Sequence, residues 1–344
     1  MRDNNKQIVL QVKNLKTHFF TENGIVKAVD GVDFEVYQGE TLGLVGESGC
    51  GKSVTAFSIV RLLDYPGKTV EGEIIFKGDD LLKKSDNQMR KIRGKEIAMI
   101  FQEPMTSLNP VFSIGYQISE SLKIHYKMSN QEARKKAIDL LEKVGIPIPQ
   151  QRVDEYPHQL SGGMRQRAMI AMALACDPIL LIADEPTTSL DVTIQAQILD
   201  LMKNLLQQFN SSLIMITHDL GVIAEIADRI AVMYAGKIME YADTRTIFFS
   251  PLHPYTFGLL TSIPRLDLDL EKLESIPGIV PDPLHFPLGC KFHPRCIFAT
   301  EKCKKEEPLL ERIEDNHMVR CWYVDRVKKE AERISFSKRL TAVE

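Results

Sequence analysis

The apolar residues of this chain fall into two rhythms that change along its length. From Ile8 to Val45 they read as strands: IVLQV and the run Val29 to Val36 carry β-branched residues in partial alternation, broken by Gly24, Gly31 and Gly39. TLGLV (Thr41 to Val45), GEIIFKG (Gly72 to Gly78) and IAMIF (Ile97 to Phe101) are further short strands. From about residue 103 to 175 the period becomes helical. Ser129 and Glu132 form a capping-box pattern, Ala133, Ala137, Leu140, Leu141 and Val144 share one helical face, and Gly145 ends it. Strands return as ILLIAD (Ile179 to Asp184) and SLIMIT (Ser212 to Thr217). Between them a helix is predicted from about Ile194 to Phe209, with Ile198, Leu201, Leu205 and Phe209 facing the core. IAVMYAGKIMEY (Ile230 to Tyr241) reads as a hairpin turning at Ala235-Gly236.

Strands alternating with helices predict an α/β fold with a mostly parallel sheet covered on both faces. After Ser250 the texture shifts, with Pro251, Pro254, Pro264, Pro277, Pro281, Pro283, Pro287 and Pro294 crowded together. This predicts a main domain over residues 1–250, with a helical subdomain at about 103–175, and a separate loop-rich extension over 251–344. No internal repeat of the main domain is visible.

Composition narrows the classes. The 344 residues are 44% hydrophobic and 26% charged, ordinary for a globular protein, and the net charge of −3 speaks against a nucleic-acid binder. No run reaches the 18 or more apolar residues that span a bilayer; the longest, Met169 to Ala183, is interrupted by Asp177 and Pro178. The polar start MRDNNKQ lacks the apolar segment of a secretory signal. The expectation is a chain that stays in the cytoplasm and meets a membrane only through partners.

The chemistry sits at two strand ends. Gly46-Glu47-Ser48-Gly49-Cys50-Gly51-Lys52-Ser53 fits G-x-x-x-x-G-K-[ST] between a strand and a helical run that begins at Val54. Glycines let the backbone N–H groups curl toward phosphate oxygens, and the helix N-terminus adds its positive dipole end. Lys52 is expected to reach the β- and γ-phosphates of ATP and the Ser53 hydroxyl to bind Mg²⁺. Cys50 is either a small loop residue or a thiol activated by the helix N-terminus. The second strand end is Asp184-Glu185, with Asp184 expected to hold Mg²⁺ and Glu185 to polarise the attacking water as general base.

Leu160-Ser161-Gly162-Gly163-Met164 precedes an apolar helical run and offers a hydroxyl and free N–H groups at a helix start. Here the chain resembles the ATP-binding-cassette (ABC) ATPases, whose signature is LSGGQ; Met164 replaces the glutamine. The resemblance implies a P-loop fold with a RecA-like parallel core, an antiparallel β-subdomain and a helical subdomain. It also implies roles for Gln102 (sensing the γ-phosphate, Mg²⁺ and the membrane partner), Asp191 (in Ser189-Leu190-Asp191) and His218, the switch histidine at the γ-phosphate. An upstream side chain stacks on adenine in this family; Phe19, Phe20 and Val26 are candidates, with Ile25 an alternative. Two cassettes of the family dimerise head to tail, each ATP lying between one subunit's phosphate loop and the other's signature.

GESGCGKS, FQEPMTSLNP, SLDVTIQAQIL, SPLHPYTFGLLTSIP and IPGIVPDP are similar to the ATPases of dipeptide and oligopeptide importers. That similarity implies two transmembrane permease subunits, a second cassette (a paralogue or an identical copy), indirect dependence on an extracytoplasmic peptide-binding protein, and a place at the cytoplasmic face of the membrane. Met105 to Pro110 is expected to help receive a coupling helix. A nickel importer of the same group and a soluble ABC ATPase are the alternatives.

Cys290, Cys296, Cys303 and Cys321 are separated by 5, 6 and 17 residues. No C-x₂-C pair occurs, which weakens a zinc ribbon. Four thiolates suit a [4Fe–4S] cluster, which the resemblance also implies. Zn²⁺, with His293 or His317 as substitute ligands, and free thiols remain open.

Overall fold

The computed structural model describes residues 7–102, 107–188, 191–262 and 276–333. Along the chain run β1 (Ile8–Thr21), β2 (Gly24–Tyr37), β3 (Thr41–Val45), α1 (Lys52–Val60), β4 (Gly67–Phe76), the two-residue β5 (Asp79–Asp80), α2 (Asp86–Ile92) and β6 (Ile97–Ile100). Then come α3 (Ile114–Tyr126), α4 (Asn130–Lys143), α5 (Gly162–Ala173), β7 (Leu180–Asp184), α6 (Val192–Phe209), β8 (Ser212–Thr217), α7 (Leu220–Ile226), β9 (Arg229–Tyr234) and β10 (Lys237–Asp243). The C-terminal part adds α8 (Thr244–Phe249), α9 (Pro254–Thr261), α10 (Glu301–Lys305), β11 (Glu311–Glu314), β12 (His317–Val319) and α11 (Val324–Arg333).

The chain divides into two compact units. One gathers the residues up to Leu10, Glu35–Thr41 and Ile75–Ile216; the other gathers Gln11–Phe34, Leu42–Ile74 and the chain from Thr217 onward.

In the first unit β6, β7 and β8 pair in parallel, with Ile97 opposite Leu180 and Leu180 opposite Ser212. Every residue of β7 is buried, as expected of a strand covered on both faces. The capping box at Ser129 and Glu132 is present, and α4 buries Ala133, Ala137, Leu140 and Leu141. Such a cap stabilises a helix by about 1 kcal/mol. On α6 the buried face is Ile198, Leu199, Met202, Leu205 and Leu206, so the expected stripe is rotated. Leu201 and Phe209 are half-buried, and the Phe209 ring lies 5.2 Å beneath the Lys143 ammonium, a partner that the i, i+4 pattern does not encode.

In the second unit β2, β1 and β4 lie side by side in that order. β3 runs parallel to β9, with Val45 opposite Val232, and β9 turns back into β10 through Ala235 (φ 48°) and Gly236 (φ 80°). Two positive φ values give the primed turn whose twist matches a tight hairpin. β4 extends from Gly67, beyond the Gly72 start expected from its turn residues. The chain after residue 250 adds β12 antiparallel to β10, and β11 to β12. The rings of Tyr234, Tyr255 and Phe292 pack with centroids 4.7 to 5.4 Å apart, joining β9, α9 and the loop before Cys296 in one core. Aromatic pairs of this kind add about 0.5–1.5 kcal/mol each beyond their burial.

Candidate functional site: a phosphate loop and an acidic strand end

The phosphate loop lies in the second unit, between β3 and α1. Gly46 (φ 153°) and Gly51 (φ 104°) press against other backbone: a β-carbon on Gly46 would sit 2.2 Å from the Met233 carbonyl oxygen, and one on Gly51 2.3 Å from that of Ala28. No other residue type fits either place. Gly51 also caps α1 with no side-chain hydrogen bond, and the first turn holds no acidic residue, which suits a helix N-terminus that meets an anion. Lys52 is buried, and its Nζ donates to the carbonyls of Gly46 (2.8 Å) and Glu47 (3.0 Å). The Gly236 N–H donates to the Cys50 carbonyl at 2.9 Å, so the β9–β10 turn supports the loop from outside. Cys50 is fully buried and its thiol is pushed up by that burial, which makes it a packing residue and removes the reading of an activated nucleophile.

Two residues of the C-terminal region that sequence reasoning missed hold the loop. The Glu47 N–H donates to the Tyr255 hydroxyl at 2.9 Å. Arg295 donates from Nη1 and Nη2 to the two Glu47 carboxylate oxygens at 2.6 and 3.0 Å. Burial pushes the Tyr255 hydroxyl well above the ordinary phenol range, so it stays neutral. No local pattern announces either contact, because the partners lie 208 and 248 residues apart.

Of the adenine candidates, Phe19 packs its ring against Gly67, where an added β-carbon would lie 2.7 Å from Cε1. Val26 is half-buried and Phe20 exposed. His218 is exposed immediately before Asp219, whose carboxylate caps α7 by accepting from the Gly221 and Val222 N–H groups.

The acidic strand end lies in the first unit. Asp184 closes β7 and is buried, at 2% exposure. Glu185 follows with φ 45°, a left-handed conformation unusual for a side chain of this size, and its N–H is anchored to the Ile216 carbonyl at 2.9 Å. The Glu185 carboxylate accepts from Gln102 Nε2 and Thr188 Oγ1, each at 3.0 Å. The sequence places Gln102 at the γ-phosphate and Mg²⁺ and does not single out Thr188; here both side chains meet the Glu185 carboxylate. Another missed residue is Gln166, buried on α5, whose amide donates to the Pro186 carbonyl. It ties the signature helix to the loop that carries Glu185.

Ser161 is the N-cap of α5, its hydroxyl accepting from the Met164 N–H at 3.3 Å, with Gly162 and Gly163 as the first helical residues. Asp191 is the N-cap of α6 and makes no side-chain cap bond. Ser189, Leu190 and residues 103–106, including Met105, lie outside the described residues.

The four C-terminal cysteines line one small cavity, together with His293, Phe292 and Tyr323. They form no disulfide. Burial pushes the thiols of Cys290 and Cys296 up to about 11 and that of Cys321 up to about 12. Among the described residues no three His, Cys, Asp or Glu side chains are already arranged around a metal position. His317 is engaged elsewhere, its Nε2 2.8 Å from the buried Glu240 carboxylate.

Comparison with known proteins agrees with these features. Residues 29–188 match the ABC transporter family model, and residues 239–303 match the oligopeptide/dipeptide transporter C-terminal region. The oligopeptide transport ATP-binding protein AppD of Bacillus subtilis (strain 168) is 55% identical over 315 residues, which are 91% of this chain and 96% of that protein. The chain belongs to the ABC transporter ATP-binding family. The dipeptide transport ATP-binding protein DppD of Escherichia coli (strain K12) is 51% identical to this ABC ATPase, over 92% of this chain and 96% of the relative. A solved dimeric structure of the ATP-binding cassette MJ0796, in a post-hydrolysis state bound to ADP and Pi, matches the ABC ATPase with a TM-score of 0.62 at 29% identity, covering 69% of this chain and 99% of that one. The cbiO1 structure from Clostridium perfringens matches with a TM-score of 0.61 at 26% identity, covering 71% and 92%. ATP hydrolysis is the reaction of this ABC ATPase, and no helix among its described residues is long and apolar enough to cross a membrane.

Proposed function

We propose that this ABC ATPase powers the uptake of dipeptides and oligopeptides, as one of two cassettes bound beneath two membrane-spanning permease subunits at the cytoplasmic face of the membrane. The observation that carries the reading is one chain that joins a phosphate loop of the required geometry to the oligopeptide/dipeptide transporter C-terminal region. The names of its 51–55% identical relatives support the same substrate class. The second cassette is a paralogue or a copy of this chain, and an extracytoplasmic binding protein delivers the peptide.

In this reading the loop Gly46 to Val54 receives the ATP phosphates with its N–H groups, and Lys52 swings from its own loop carbonyls to the β- and γ-phosphates. Ser53, Gln102 and Asp184 are the residues that would hold Mg²⁺, which would supply positive charge against the negative charge developing in phosphoryl transfer. Glu185 takes the proton of the attacking water; positioned general bases are worth about 10²–10⁴ in rate. Gln102 and Thr188 aim its carboxylate. His218 contacts the γ-phosphate, and Asp191 lies at the interface between cassettes. Phe20, Phe19 or Val26 meets the adenine. Ser161, Gly162 and Gly163 cap the ATP held by the other cassette, so closing the pair assembles each site and hydrolysis reopens it.

We further propose that Cys290, Cys296, Cys303 and Cys321 hold a [4Fe–4S] cluster. A cavity lined by four thiols fits that donor set in kind. Bound there, the cluster would cross-link the segments that carry the four cysteines.

Reconstitution with the permeases and the binding protein tests the transport reading. Dipeptide- or oligopeptide-loaded binding protein is expected to stimulate ATP turnover; turnover that stays basal with every peptide overturns peptide import.

A further inference from the structure

We infer that Arg295 is a positioning residue for nucleotide binding: it neutralises and turns aside the carboxylate that the phosphate loop itself carries at Glu47. The inference rests on residues 46–53 being the ATP phosphate loop.

A glutamate at the second position of a loop that receives a polyanion is an electrostatic liability, since like charges a few ångströms apart repel strongly away from bulk water. Here that carboxylate is held away by a two-pronged guanidinium contact at 2.6 and 3.0 Å. The planar fork fixes direction as well as charge. The Arg295 side chain is only 4% exposed, its Nε donates to the Pro277 carbonyl at 2.9 Å, and its guanidinium lies 5.7 Å from the Tyr234 ring centre. The clamp is therefore built in, and it does not depend on a mobile surface side chain. Tyr255, fully buried, takes the Glu47 N–H and fixes the backbone at the same residue.

The segment that carries Arg295 is anchored at its other end too. Lys291 donates to Asp30 and to the Ala235 carbonyl, each at 2.9 Å. The turn at Ala235-Gly236 in turn donates to the Cys50 carbonyl. The stretch from Lys291 to Arg295 thus reaches the phosphate loop by two routes, directly at Glu47 and through the turn at Cys50. Its flanking residues, Cys290 and Cys296, both line the cysteine cavity.

The test is a double-mutant cycle on affinity for a fluorescent ATP analogue, measured on the full chain with thermal unfolding recorded beside it. Arg295→Ala is expected to weaken binding roughly tenfold, within the 5–150-fold range of typical couplings between sites. Glu47→Gln removes the charge that needs neutralising, so adding Arg295→Ala in that background is expected to cost nothing beyond the Glu47→Gln variant itself. A role for Arg295 in holding the tail alone predicts instead that its deficit persists in the Glu47→Gln background; that result, or unchanged affinity in Arg295→Ala, overturns the inference. Should Arg295→Ala not fold, Arg295→Lys carries the same cycle, with a smaller loss that again vanishes with Glu47→Gln. Lys52→Ala separates the two levels: if it binds the analogue as the parent does, the loop assignment fails, whereas loss of binding in Lys52→Ala with a flat cycle sinks only the role of Arg295.

Discussion

Gln102 and Glu185 are joined directly: the amide Nε2 of the glutamine lies 3.0 Å from the carboxylate oxygen Oε2, which also accepts the Thr188 hydroxyl. Glu185 is thus aimed by the Gln102 amide, the Thr188 hydroxyl and a left-handed backbone at φ 45°. Glu185→Gln is expected to keep ATP affinity while turnover falls by about 10²–10⁴. Size-exclusion chromatography with ATP is expected to show the trapped cassette pair. A monomer under those conditions contradicts the two-cassette site.

The buried amide of Gln166 links the signature helix to the Pro186 carbonyl one residue beyond Glu185. Gln166→Leu is expected to lower unfolding free energy by about 1–3 kcal/mol, because the carbonyl is left unsatisfied. Turnover in the assembled complex is expected to fall more than this stability loss explains. Denaturant unfolding and ATPase assays on the same preparation check both.

His253 gives a pH prediction. It is fully enclosed, accepts the Tyr255 N–H on Nδ1 at 3.0 Å, and burial lowers its pKa from 6.5 to about 3. The folded chain therefore keeps it neutral where the unfolded chain takes up a proton. Its contribution is complete above about pH 6.5 and is lost as pH falls from there toward 3, with a slope of at most about 1.4 kcal/mol per pH unit. His253→Asn keeps a capping acceptor without the titration. It is expected to flatten this part of the stability profile; an unchanged slope places the acid sensitivity elsewhere.

Much of this was legible in the residues because it is local. The glycines of the phosphate loop, the carboxylates ending β7 and the serine opening α5 each lie within a few residues of the structure they shape. The capping box at Ser129 and the turn at Ala235-Gly236 were readable for the same reason. What was hidden is long-range. Nothing near Arg295 or Tyr255 announces Glu47, more than 200 residues away. The buried face of α6 was misjudged because Phe209 finds Lys143 on another helix. The extension read as loop because its prolines are dense, yet it carries β11 and β12, and β12 pairs with β10.

The cysteine cavity makes a prediction that does not depend on transport. Full chain purified without oxygen is expected to be brown and to contain iron and acid-labile sulfide in equal amounts. Cys303→Ser, which alters a buried thiol of the cavity, is expected to lose both. A colourless preparation with stoichiometric zinc, or with no metal, contradicts the cluster.

Lys52 gives the most direct test of the central claim, since its ammonium sits on the loop carbonyls at 2.8 and 3.0 Å and is the charge meant for the nucleotide's terminal phosphates. ATP turnover by the reconstituted complex carrying Lys52→Ala is the deciding measurement. The account predicts that turnover collapses to background; turnover equal to that of the parent would contradict it.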